Sequence, residues 1–254
     1  MAHISEEEYF NIIEEYDRQE YERKERENAI EHYEGDLGKF SYNPYEFQVT
    51  WEESTEYLYY IGDKVYGENI HIPEGIIDCS RMFYGARKLE TPPVIPEGVK
   101  YCYMMFEECV SLEKAPVIPD SVKSCEWMFN GCKSLKEAPV IPESVVYCKG
   151  MFCSSGITKA PKIPARAEDC SFMFDGTKIT EPPIIPAGVK DCEGMFNGCV
   201  YLKTAPVIPE GVERCSGILG DCDDLDPSTL PPLPSTVKDA KSIEECFWTE
   251  DDDV

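Results

Sequence analysis

The feature that most constrains how this chain can fold is a period. Isoleucine-proline pairs stand at Ile72-Pro73, Ile95-Pro96, Ile118-Pro119, Ile141-Pro142, Ile163-Pro164, Ile185-Pro186 and Ile208-Pro209, and Leu233-Pro234 closes the series, in steps of 22 to 25 residues. Between the pairs the columns repeat. A small apolar residue recurs at Ile76, Val99, Val122, Val145, Ala167, Val189, Val212 and Val237, and a cysteine at Cys79, Cys102, Cys125, Cys148, Cys170, Cys192 and Cys215. A Met-Phe pair follows from Met82-Phe83 to Met195-Phe196 and weakens to Ile218-Leu219. A second small-residue column reads Ala86, Cys109, Cys132, Ser155, Thr177, Cys199, Cys222 and Cys246. The unit is IPxxVxxCxxMFxxCxxLxxAPx.

A unit of about 23 residues cannot bury its own apolar side, whereas stacked copies share one continuous core. The expected fold is an α/β repeat solenoid of about eight coils. At a rung spacing of roughly 4.8 Å these make a rod about 40 Å long. The recurring A-P-V-I-P segment, as at 115–119, carries two prolines that exclude helix and restrict strand pairing, so a narrow parallel sheet is expected there. From Val122 to Leu135 apolar residues fall mostly three apart, which predicts a short helical or 3₁₀ segment ending in an Asn130-Gly131 turn.

These columns resemble the BspA-like bacterial leucine-rich repeats, in which a Phe three residues before a Cys, then a Leu and an Ile-Pro corner, mark each coil. The V-K-S-C-E-W-M-F-N-G-C-K-S-L run at 122–135 is similar to related surface-protein repeats carrying MF-G-C--L. The likeness spans about residues 65–246 and implies a leucine-rich-repeat solenoid. The chain differs in carrying Ala-Pro where a strand leucine or isoleucine is usual.

Outside the repeats, residues 1–64 read as an N-terminal helix and hairpin. Ser5 and Glu8 form a capping box, the run Glu6 to Glu34 is rich in helix formers, and Gly35 is expected to stop it. Residues 45–61 alternate like two strands joined through Glu52 to Thr55. This segment is either a cap over the open core or a functional head, whose acids Glu14, Glu15, Glu22 and Glu25 would meet a partner. Residues 65–248 form the solenoid, and 249–254 an acidic tail.

Forty-nine acidic against 24 basic residues give a net charge of -25, which disfavours nucleic acid and anionic membrane and favours a partner with a basic surface. No basic stretch followed by an apolar run opens the chain, so a cytoplasmic location is expected. There the 13 cysteines stay reduced; packing as small apolar residues is the leading reading, beside occasional oxidation or zinc. With no CxxC pair, three unclustered histidines and no G-x-S-x-G, HExxH or phosphate-cradling loop, neither enzyme, metal site nor cofactor is expected.

Large residues at places between the core columns are the candidate partner contacts: Tyr101, Tyr103, Met104, Trp127, Tyr147 and Phe172. Equally, they cover neighbouring coils. The leading functional reading is a non-enzymatic solenoid that presents a rigid acidic scaffold to a protein. The alternative is a phage or mobile-element inhibitor whose carboxylates mimic nucleic acid and block a host nuclease or defence complex. A secreted adhesin comes third.

Overall fold

The computed structural model describes residues 72 and 75–240, together with three strands nearer the N-terminus. The chain divides into two units, residues 1–53 and 54–254.

In the first unit, strands β1 (Glu31–Gly35), β2 (Gly38–Asn43) and β3 (Gln48–Trp51) form an antiparallel meander in the order β1-β2-β3. Gly35 pairs with Gly38 across a two-residue link, and Phe40 of β2 pairs with Trp51 of β3. Two expectations change. Glu31 to Glu34 are strand where a helix was expected, and Gly35 ends that strand. The segment holding Val49 and Trp51 pairs backward with β2; its expected partner at 57–61 lies outside the described residues, as do Glu14, Glu15, Glu22 and Glu25.

The second unit is a solenoid. One-residue parallel bridges link Asp78, Tyr101, Ser124, Tyr147, Asp169, Asp191 and Arg214 in succession, one from each coil. Past each bridge, alternate amides reach the next coil: Cys79, Arg81, Phe83 and Gly85 donate to the carbonyls of Tyr101, Tyr103, Met105 and Glu107 at 2.9, 2.8, 2.9 and 2.8 Å. The amides in between close turns on their own coil, Met82 to Cys79 at 3.2 Å and Ala86 to Phe83 at 3.1 Å. A 4→1 bond with positive φ at the third residue is the type II arrangement. Both turns have it, at Arg81 (56°) and Gly85 (70°) in this coil and at Trp127 (55°) and Gly131 (72°) two coils later.

This differs from expectation in two ways. The three-residue apolar spacing comes from linked turns rather than a helix, because a left-handed residue inside each turn prevents helical continuation. The sheet lies one residue before the first cysteine, not at A-P-V-I-P, and is one bridge wide. Among the described residues no backbone hydrogen bond joins adjacent A-P-V-I-P segments; each proline lacks the donor that such a ladder needs. The only described helical turn is 3₁₀, Pro227–Thr229, capped by Asp226.

The core columns behave as the repeat requires. Phe106, Phe129, Phe152, Phe174 and Phe196 have no exposed surface, nor do the Met, Val and first-cysteine places beside them. Their rings stack with centroids 5.4 to 6.0 Å apart and planes within 13°, from Phe83 to Phe196. Aromatic pairs at such separations add about 0.5–1.5 kcal/mol each beyond burial.

The second cysteine column has a further role. Cys109, Cys132, Cys199 and Cys222 each donate Sγ–H to the phenylalanine carbonyl of the preceding coil, Phe83, Phe106, Phe174 and Phe196, at 3.1 to 3.2 Å. Elsewhere in this column the Thr177 hydroxyl donates to the carbonyl of its own coil's Phe174 at 2.7 Å, Ser155 Oγ makes no hydrogen bond among the described residues, and Ala86 has no side-chain donor, so small size is what the place requires. All described cysteines are free thiols.

Candidate functional site

Two rows of side chains leave the core and reach solvent. The first follows the bridges. Asp78, Asp169 and Asp191 accept the amide two residues on, from Ser80, Ser171 and Glu193 at 2.8, 2.9 and 3.0 Å. Each carboxylate thereby satisfies a turn amide, the Asx geometry that makes Asp suit this place. Arg214 binds Asp191 from the next coil through Nε at 2.9 Å and through Nη2. Lys100, Lys123 and Lys190 stand exposed in the neighbouring column, so both signs of charge occur along this face.

The expected contact residues divide between this row and the interior. Tyr147 is exposed, Tyr101 is half-buried in the same column, and Ser124 lies between them. Tyr103 is half-buried with the Arg81 guanidinium 5.3 Å from its ring centre, a cation–π contact. Met104 and Trp127, in contrast, are buried at 3% and 8% exposure, and Phe172 is half-buried. These three occupy the left-handed place of the first turn, with φ of 52°, 55° and 56°. The side chains of Trp127 and Phe172 extend over the next coil. A Cβ on Gly150 would lie 2.2 Å from Trp127 Cε3, and one on Gly194 would lie 2.4 Å from Phe172 Cε1. Trp127 and Phe172 thus lie against the next coil, where a glycine makes room for each ring.

The second row was missed from sequence. In each A-P-V-I-P segment the isoleucine points inward, with Ile95, Ile118, Ile141, Ile163, Ile185 and Ile208 at 2 to 5% exposure. The residue before it points out: Val94, Val117, Val140, Ile184 and Val207 are 77 to 90% exposed. The signal was available, because two successive residues of an extended segment face opposite ways and only one can join the core. Lys162 interrupts the row and forms an ion pair with Glu143 of the preceding coil. Beside the row, just past the Ile-Pro pair, stand the exposed Glu97, Asp120, Glu143 and Glu210; Ala165 and Ala187 fill that place in the other two coils, so no basic residue occupies it.

A third row is polar but mostly withdrawn from water. Asn130 Nδ2 donates to Glu107 Oε1 at 2.8 Å, and Asn197 Nδ2 to Asp175 Oδ1 at 3.1 Å. Burial pushes the Glu107 carboxyl up to about 7, with the Asn130 hydrogen bond and nearby Arg81 opposing the rise. Burial and the Asp175 charge push Cys153 up to about 12, so its thiolate, the reactive form, is suppressed. Among the described residues no three His, Cys, Asp or Glu side chains gather as a metal site, and no helix is long and apolar enough to cross a membrane.

No protein-family model matches the chain, and no curated protein matches it. In structure the chain is similar to a leucine-rich repeat protein from Bacteroides ovatus ATCC 8483, with 22% sequence identity and a TM-score of 0.38. The match covers 78% of this chain and 45% of that one, so the chain spans less than half of that protein's length.

Proposed function

We propose that this protein is a non-enzymatic binding solenoid of the BspA-like leucine-rich-repeat kind, acting in the cytoplasm, whose outer row of β-branched side chains receives a protein partner with a basic surface. The observation that carries this reading is the exposure of Val94, Val117, Val140, Ile184 and Val207, each at least 77% open to water at the same place of its coil. Scattered exposed apolar residues are ordinary, but an aligned row is a contact surface in waiting. The rigid stack beneath holds the row in place, so a partner that binds there meets little cost in ordering it. Basic character in the partner follows from the acids beside the row and from the net charge of -25.

The test is affinity capture from a lysate of the source cells, comparing the full chain with the Val117→Asp/Val140→Asp variant by quantitative mass spectrometry. At least one protein retained by the unaltered chain is expected to be depleted with the variant. Identical captured sets refute the reading. The nucleic-acid-mimic alternative draws on net charge, and the lysines among the acids of the bridge face break the continuous anionic row that it needs. Capture that collapses between low and high salt yet ignores the two valines would favour it.

A further inference from the structure

Two lysines on the bridge face are stacked and unengaged. The amides of Lys100, Lys123 and Val146 donate to the carbonyls of Ile77, Lys100 and Lys123 at 2.7, 2.8 and 2.9 Å. These bonds set Ile77, Lys100, Lys123 and Val146 on successive rungs of one ladder, and the parallel bridges set Tyr101, Ser124 and Tyr147 beside them. Backbones joined in this way lie about 4.8 Å apart, so two exposed lysines rise from adjacent rungs. Like charges placed so oppose each other.

The other cations of the same two columns are held. Lys190 Nζ donates to the Gly211 carbonyl at 3.4 Å, Arg214 pairs with Asp191, and Lys238 pairs with Glu213. Lys100 and Lys123 make no side-chain hydrogen bond or ion pair among the described residues, although the chain carries 49 acids against 24 bases. Nearby acids turn to their own coils instead: Asp78 accepts the Ser80 amide at 2.8 Å, and Glu126 the Ser124 hydroxyl at 3.0 Å.

Apolar surface frames the pair. Ile77 at one end is 45% exposed and Tyr147 at the other 43%, with Tyr101 half-buried between them. The cationic stretch is also short. The next rung after Val146 is Glu168, whose amide donates to the Val146 carbonyl at 3.1 Å, and Asp169 follows Tyr147 in the bridge column. A long polyanion such as nucleic acid, laid along the stack, would run from two lysines onto these acids. A second copy of this chain would approach with a net charge of -25 against -25, which opposes association. A short acidic segment meets neither obstacle.

We propose that the face formed by Ile77, Lys100, Tyr101, Lys123 and Tyr147 docks an acidic segment of a partner protein, whose Asp or Glu carboxylates sit between the two lysines and whose neighbouring apolar side chain covers Tyr147 or Ile77. A carboxylate placed there relieves the repulsion between the ammonium groups and accepts charge-assisted hydrogen bonds from both. Tyrosine beside it supplies the aromatic anchor that such contacts favour. This surface uses other columns of the coil than the valine row and selects the opposite charge, so it stands or falls separately from the reading above.

The experiment titrates fluorescent peptides of about ten residues into the full chain and follows anisotropy. One is built from Asp, Glu, Phe and Gly; its counterpart carries Asn and Gln in place of Asp and Glu. The acidic peptide is expected to bind at least tenfold tighter. Lys100→Glu/Lys123→Glu should weaken it at least tenfold, Lys100→Arg/Lys123→Arg should keep it within about threefold, and Tyr147→Ser should weaken it several-fold. Lys133→Glu/Lys136→Glu changes the net charge equally and should leave binding within about twofold, and all four of these lysines are exposed, so thermal melts should not change. No binding of the acidic peptide, equal binding of its amide counterpart, or binding that survives Lys100→Glu/Lys123→Glu refutes the site. Two further outcomes reassign the occupant and overturn the proposal: an oligothymidylate that binds more tightly than the peptide and is lost with the same lysines, or a dimer of the chain alone, seen by sedimentation, that Lys100→Glu/Lys123→Glu dissociates.

Discussion

Replacing Gly150 with alanine tests the central packing device of the solenoid. Gly150 has φ of 57°, and a Cβ there would lie 2.2 Å from Trp127 Cε3 and 2.4 Å from Cδ2 and Cζ3. Two costs follow. Alanine in the left-handed region costs about 1–2 kcal/mol. The methyl also cannot share space with the indole, which must leave its site at 8% exposure. Losing the burial of a tryptophan is worth up to about 3–5 kcal/mol. Gly150→Ala should thus cost about 4 kcal/mol in the unaltered chain but only about 1 kcal/mol once Trp127→Gly has removed the ring, a coupling near 3 kcal/mol. Urea unfolding of the four members of the cycle, followed by circular dichroism, measures this directly. Neighbours that do not interact are additive within about 0.5 kcal/mol. Coupling that small would show that the indole does not lie on Gly150 in solution, and the covering account of this column would fail.

Two further predictions concern ionisation. The Glu107 carboxyl is pushed from 4.5 to about 7 by burial. As pH rises through that window the unfolded chain releases a proton that the folded chain keeps, so stability falls with rising pH, by about 3 kcal/mol in all. Glu107→Gln keeps the oxygen that Asn130 bonds and removes the titration; its urea midpoint should change less between pH 5 and pH 8 than that of the unaltered protein. Equal pH dependence of the two would overturn the burial of that group. Burial likewise raises Cys109 and Cys222 to about 12. Iodoacetamide on the native protein at pH 8 should leave the fully buried thiols, such as Cys125 and Cys132, unmodified over times that fully alkylate the unfolded chain. Among the described thiols, half-exposed Cys153 and Cys222 should be modified first; early modification of Cys125 by mass spectrometry would contradict the stacked core.

Which parts of this fold could be read in the letters follows from what periodicity reports. A column shared by every coil has one environment, so Phe106, Phe129 and Cys125 could be placed inside from repetition alone, and the structure buries them fully. Backbone conformation within the unit was harder to read. Apolar residues at 122, 125, 128 and 132 fit a tight helix, yet linked turns advance by three residues too and make the same i to i−3 bonds, such as Met128 to Cys125 at 3.2 Å. The distinguishing mark was glycine. It recurs at 131, 176 and 198 in one column and at 150, 194 and 217 in another, all with positive φ. Trp127 and Phe172 hid the second column, because large residues there suggest exposure. The outer row escaped notice because valine and isoleucine side by side look equally apolar, and only the direction of an extended segment separates them.

The last described step of the bridge face is joined differently from the others. At each earlier step the first-column cysteine amide donates to a main-chain carbonyl of the next coil, but that of Cys215 meets the carboxylate of Asp239 at 3.1 Å, and the Ser216 amide donates to the same side chain at 2.9 Å. The Lys238 amide still reaches the Glu213 carbonyl at 2.8 Å, so the winding carries on through this step. One carboxylate thus does here what main chain does elsewhere, and a side-chain replacement at Asp239, ordinarily silent for backbone pairing, would alter how two coils are joined.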